Sequence, residues 1–178
     1  MSTAESNIRV VERFVREVQN GRNLDAMTEL CTPDITIRHP GAPEPGHGIP
    51  EAQRMLRQTF HEFPDIQWTV DEVQGSGDKV VTRFSVRAVN SGPLRGFDRP
   101  TNKTWSGTGL VVYELRDGKI AVTKIQEDLL EMLHQLGVVP KSARLLYWMG
   151  RFGIIKLLQR AGKIPPPGAP PPVGLPDP

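Results

Sequence analysis

The sequence predicts an α+β fold in which N-terminal helices pack on a curved, mostly antiparallel sheet that rolls into a cone-shaped half-barrel, followed by a C-terminal helical extension. Three observations predict it. Apolar residues recur at helical spacing as far as Phe63; the period shortens to two between Gln67 and Glu127; and Pro64 and glycine-bearing turns mark where the pattern changes. A sheet with helices on one face curls around them, and its concave side becomes a pocket.

The elements follow in order. Ile8, Val11, Val15 and Val18, with Phe14 alongside, form one face of a helix from Ser6 to about Gln19 that ends at Asn20–Gly21. Asn23 has the character of an N-cap for a second helix, Leu24–Cys31, in which Leu24, Met27, Leu30 and Cys31 share a face and which Thr32–Pro33–Asp34 stops. Ile35–His39 alternates as a short strand, and Pro40–Pro50 is a loop too rich in glycine and proline to hold regular structure. Pro50 suits the first turn of a third helix ending at Phe63, with Ala52, Met55, Leu56 and Phe60 on its apolar side. Four strands come next, Gln67–Val73, Lys79–Asn90, Lys103–Leu115 and Lys119–Glu127. They are joined through Gly75–Ser76–Gly77–Asp78, a long loop Ser91–Asn102 and the hairpin turn Arg116–Asp117–Gly118. Asp128–Leu136 reads as a closing helix with Gly137 as its C-terminal cap.

Composition narrows the function classes. With 178 residues the chain has room for one domain and an appendage, not two catalytic domains. Its 17 prolines include eight within Pro165–Pro178, so the domain before that tail has a normal globular make-up. The single cysteine, Cys31, rules out an internal disulfide framework; it reads as a small buried residue and not as a nucleophile. The polar N-terminus and the absence of a long apolar run predict a cytoplasmic location. The net charge of +2 conceals +5 after Glu131, where six cations face Asp177 alone, and therefore −3 before it. A mildly acidic body lacks the basic face a nucleic-acid partner requires.

Four pieces, in this order, carry a family likeness: Phe63–Pro64–Asp65–Ile66; Gly77–Asp78–Lys79–Val80–Val81–Thr82–Arg83; Asp117–Gly118–Lys119–Ile120; and Asp128 through the Gln135–Leu136–Gly137 that ends the closing helix. Across Ser6–Val138 the chain resembles the SnoaL-like polyketide cyclases, of the cone-shaped superfamily that also holds nuclear transport factor two, ketosteroid isomerase and limonene epoxide hydrolase. The resemblance implies intramolecular aldol closure of a ring in an ester-bearing polyketide, as in secondary metabolism, by an aspartate acid/base without metal or organic cofactor. It also implies homodimers through the open sheet.

Carried over residue by residue, the family's aspartate falls on Asp128. A carboxylate facing an apolar cone would have a raised pKa suited to proton abstraction, whereas Asp128 as the N-cap of Leu129–Leu136, in a capping box with Glu131, would have a lowered one. Where members carry a histidine this chain has Asn90, able to donate a hydrogen bond to a carbonyl but not to shuttle a proton. His39, at a strand end beside a loop, is either a polariser of a substrate carbonyl or the partner of a backbone group. Phe14, Phe60, Phe84 and Trp105 are expected to line the cone against a hydrophobic small-molecule substrate, with Arg83 as a polar contact. Arg83 with Asp128 also supplies two parts of the Asp-Arg-Asp arrangement of limonene epoxide hydrolase-like members, with Asp71 on a neighbouring strand as the open third. His39 and His47 match no metal-ligand spacing, so no metal is assigned. A non-catalytic cone that binds a ligand or a protein is the competing class, and the polarity of the cavity lining separates the two.

The domain occupies residues 1–138. From 139 to 163, Leu145, Leu146, Trp148, Met149, Phe152, Ile155 and Leu158 recur at helical spacing among cations. Such a basic amphipathic segment docks on its own cone, on a second subunit or on an anionic membrane surface, with protein favoured because a large apolar face needs cover. Residues 164–178 read as a solvated, disordered polyproline-like tail.

Overall fold

The computed structural model describes residues 3–94, 99–142 and 147. Helix α1 (Thr3–Arg13) continues, more widely wound, through Phe14–Asn20. A tight turn, Leu24–Ala26, leads into the one-turn helix α2 (Met27–Leu30), and β1 (Cys31–Arg38) follows directly. After β2 (Gly46–His47) and α3 (Gly48–Glu62) come β3 (Gln67–Ser76), β4 (Lys79–Val89), β5 (Thr104–Arg116) and β6 (Lys119–Glu127), and then α4 (Leu129–Gln135). The strands form one sheet in the order β2-β1-β6-β5-β4-β3, antiparallel except where β1 runs parallel to β6.

The α+β plan is thus as the periodicity predicts, with differences around Cys31. The second helix is shorter than expected, and Cys31 opens a strand instead of ending a helix. Pro33 did not stop the chain from extending, because the β1–β6 register shifts between Cys31 and Thr36, a bulge in which a residue without an N–H is tolerated. The Pro40–Pro50 loop is also less irregular than predicted: Gly46 and His47 pair with Ile37 and Thr36.

Two asparagines fasten the first helix to the sheet. Asn7, buried, donates to the Gly77 carbonyl in the β3–β4 turn at 2.9 Å. Asn20 bonds both the N–H and the C=O of Trp68, at 2.9 and 2.8 Å, so its amide imitates the missing neighbour of the edge strand β3. Between helix and sheet lies one continuous core, including Val11, Phe14, Met27, Ile35, Phe84 and Tyr113. Gly92 lets the loop after β4 pass close to α3, since a Cβ there would stand 1.7 Å from the His61 carbonyl oxygen. Of the expected extension at 139–163 only 139–142 and Tyr147 are described, and the tail at 164–178 lies outside the described residues. Among the described residues no helix is long and apolar enough to cross a membrane.

Candidate functional site

Strand alternation decides what the concave face carries. In β4, Val80, Thr82, Phe84, Val86 and Ala88 turn inward and Val81, Arg83, Ser85 and Arg87 turn away. In register beside them, Phe84 lies across from Gly109 and Gly109 from Glu127, while Tyr113 lies across from Thr123. Gly109 has a reason to be glycine: a Cβ would meet the Phe84 ring at 2.5 Å and the Gln126 carbonyl at 2.6 Å. Its absence lets that ring lie over β5, next to Glu127. Enclosed by this face, the wide turn of α1, α3 and α4 is a cavity of about 180 Å³. Its walls are mainly apolar, with Phe14, Phe63, Phe84 and Trp105 among them.

Two carboxylates and one histidine line that space: Glu62, at the end of α3, which accepts a hydrogen bond from Gln58 at 2.7 Å, and the pair Glu127 and His39. Glu127, the last residue of β6, has only 11% of its side chain exposed, and its Oε1 lies 3.0 Å from Nε2 of His39, just past the end of β1. The Gly41 N–H donates to Nδ1 of the same ring at 3.0 Å. An N–H can be received only by an unprotonated nitrogen, so the proton of the neutral ring sits on Nε2 and is donated to Glu127. His39 therefore does make the backbone hydrogen bond expected of a loop histidine, and it holds a carboxylate as well. Both residues line the cavity.

Asp128 is placed otherwise. It caps α4, its Oδ1 accepting from the Glu131 N–H at 2.9 Å; it is exposed and does not line the cavity. The inward carboxylate is its neighbour. Thr123, Ile125 and Glu127 all line the cavity, and one further step along the chain leaves the strand. That count of alternate residues from Thr123 was available in the sequence and points to Glu127.

Hydroxyl groups gather elsewhere in the cavity. Tyr113, buried, hydrogen-bonds Thr82, and burial pushes its phenol well above the usual range, so it stays protonated. The hydroxyl of Thr123, buried, meets no hydrogen-bond partner among the described residues. Cys31, behind this cluster, has its thiol pushed up to about 12 by burial and is inert as a nucleophile at neutral pH.

Of the remaining predicted contacts, Phe14, Phe84 and Trp105 line the cavity. Phe60, Arg83 and Asn90 do not, and the expectations for them are corrected. Phe60 packs edge-on against Trp68, ring centres 6.3 Å apart, with the Arg22 guanidinium 5.0 Å above it. Arg83 belongs to the outward row of β4 and pairs with Glu72 at 3.0 Å and Asp71 at 3.5 Å, so Arg83, Asp71 and Asp128 do not converge inside. Asn90 is fully buried with its side chain saturated. It donates to the carbonyls of Glu62 and Gly92, both at 2.9 Å, and accepts from the N–H and hydroxyl of Thr101 at 2.8 and 2.9 Å. With two donors and two acceptors used, it has nothing to offer a ligand. It clamps the loop after β4 to the end of α3.

The comparisons agree with this architecture. A family model described as SnoaL-like polyketide cyclase matches residues 9–136. A SnoaL-like polyketide cyclase structure from Jannaschia sp. CCS1 superposes with a TM-score of 0.72 at 22% identity, covering 79% of this chain and 97% of the other. IdmH from Streptomyces antibioticus, described as a polyketide cyclase, gives 0.64 at 28% identity over 74% and 98%. An epoxide hydrolase of the LEH-like type from M. tuberculosis gives 0.60 at 19% over 76% and 92%, a likeness of fold. No curated protein matches the chain significantly.

Proposed function

The chain belongs to the SnoaL-like polyketide cyclase family, and from that premise we propose that it is a cofactor-independent enzyme acting on a hydrophobic carbonyl compound, with Glu127 as the acid/base and His39 as the residue that holds it. The single observation that carries this reading is the Glu127 carboxylate, nearly enclosed in an apolar cavity and pinned through one oxygen by His39. The pinned oxygen fixes the direction of the other, Oε2, which is left to take a proton from carbon next to a substrate carbonyl.

The reaction class follows from that atom. Oε2 removes the α-proton, and the C–H electron pair becomes an enolate. The enolate carbon attacks a second carbonyl of the same molecule, forming the ring C–C bond, and its π electrons become an alkoxide. The proton held on Glu127 returns to that alkoxide. Atoms balance without a co-reactant. Because the Gly41 N–H occupies Nδ1, His39 positions the carboxylate and is not itself the base. A compact cavity walled by Phe14, Phe84 and Trp105 favours folded conformers of the substrate, in which the two carbons to be joined are already close. A homodimer through the outer face of the sheet completes the reading, supported by Val81 and Leu110, which stand 38% and 48% exposed on the adjacent strands β4 and β5.

The test is deuterium uptake at the α-carbon of β-tetralone, a bicyclic ketone, followed by NMR. Wild-type protein accelerates it, and Glu127→Gln, which keeps a hydrogen-bonding partner for His39, lowers the acceleration about 10²- to 10⁴-fold. Uptake that is equal in both proteins overturns the reading in favour of a non-catalytic binding cone.

A further inference from the structure

The cavity has a second polar locus that the proton-transfer chemistry does not use. Tyr113 and Thr123 face each other across β5 and β6, Thr82 is the hydrogen-bond partner of Tyr113, and all three line the cavity. Thr123 is four residues from Glu127 on the same inward row, which at roughly 3.3 Å per residue separates the two positions by about 13 Å. Between them Val111 and Ile125, directly opposite one another, keep the wall apolar. Along the β5–β6 wall, two polar ends and an apolar middle describe the complement of an elongated molecule with an oxygen at each end.

Thr123 is the telling member. A buried hydroxyl without a partner is unfavourable unless something supplies one, and its hydroxyl has none among the described residues. Because Thr123 lines the cavity, a ligand there is the nearest source of such a partner. Tyr113 next to it remains a neutral phenol, because burial holds its pKa up, so the cluster presents hydroxyl dipoles and no charge. Such a group recognises a hydroxyl or carbonyl oxygen and rejects a carboxylate, whose desolvation it could not offset.

The size of the space limits the molecule further. A cavity of about 180 Å³ lies below the range of about 300–1,000 Å³ common for drug-sized ligands, which favours a compact molecule. We propose that Thr123, backed by Tyr113 and Thr82, is a specificity-determining subsite for a neutral oxygen at the end of the substrate remote from the reacting carbonyl, and that the substrate is a compact one- or two-ring compound. This inference rests on the assignment of the reacting end to Glu127.

Binding of β-tetralone and 6-hydroxy-β-tetralone, which adds a phenol at the far end, tests it by titration calorimetry on the full chain. Wild-type protein binds the hydroxylated ketone about tenfold more tightly, and Thr123→Val brings that ratio to about one. Valine matches the shape of threonine and removes an unpaired hydroxyl, so the variant folds; a melting temperature no lower than that of wild type verifies this. A wild-type ratio near one, a ratio that survives Thr123→Val, or failure of both ketones to bind overturns the proposal. The two assignments fail separately: a wild-type protein that shows Glu127-dependent deuterium uptake but no preference between the ketones counts against the subsite alone, whereas a Thr123-dependent preference without Glu127-dependent uptake counts against the acid/base reading alone.

Discussion

The two faces of the sheet hold their carboxylates in different ways. On the outer face Arg83 meets Glu72 and Asp71, and Lys124 meets Glu114 at 2.6 Å; these are pairs of long, partly exposed side chains lying across neighbouring strands. Lys124 holds the Glu114 carboxyl below its usual range, yet water competes at every one of these sites. On the inner face Glu127 has His39 as its partner among the described residues, little solvent and an aromatic wall. The outer pairs are interchangeable contributors to a charged surface. The inner one has a fixed orientation, because its partner is itself fixed by the Gly41 N–H. Asp128 makes the contrast within a single step of the chain: the same kind of group, one residue on, is exposed and caps the backbone of α4.

Substitutions can break this contrast, and the largest effect belongs to the inner face. Glu127→Gln costs the 10²- to 10⁴-fold in proton transfer given above with a melting temperature close to that of wild type, whereas Asp128→Asn leaves the rate within about twofold. Next in size is Asn90→Ala, which strands buried carbonyls and the Thr101 N–H and hydroxyl. It lowers stability by about 2–3 kcal/mol in urea unfolding while the protein that remains folded keeps its deuterium-uptake rate. Asp128→Ala follows, with the loss of about 1 kcal/mol expected for an N-cap and again no rate effect. Arg83→Ala is the smallest, within about 0.5 kcal/mol in stability, since its pairs are open to solvent. A rate loss in Asp128→Asn approaching that in Glu127→Gln would erase the distinction between the faces.

Much of the fold could be read from periodicity. The change from period 3.6 to 2 placed α1, α3 and the four long strands, and Gly137, at φ 73°, caps α4 as predicted. What escaped depended on tertiary pairing. Whether Thr32–Pro33–Asp34 ends a helix or extends into a strand was decided by the bulge against β6, and Gly46–His47 became a strand only because Thr36–Ile37 offered an edge. The site was partly readable in the same way. Phe14, Phe84, Trp105 and His39 reach the cavity; counting from the terminal glycine leads to Asp128, which caps α4, whereas counting along the inward row of β6 leads to Glu127, which lines the cavity. Arg83, Phe60 and Asn90 have plausible chemistry for a site; their partners, all remote in sequence, determine that they face or bond elsewhere.

The parallel contact between β1 and β6 has a consequence for how the protein comes into being. His39 is made early in synthesis and Glu127 among the last residues of the sheet, so the bond between them closes a loop that contains β3, β4 and β5. At roughly 5–20 residues per second on the ribosome, β1 waits several seconds for its neighbour, while the β3–β4–β5 meander can zip up by local pairing. The bonded pair inside the cavity therefore forms only as the sheet completes its topology, and nascent or truncated forms ending before β6 lack Glu127 and with it the partner of His39.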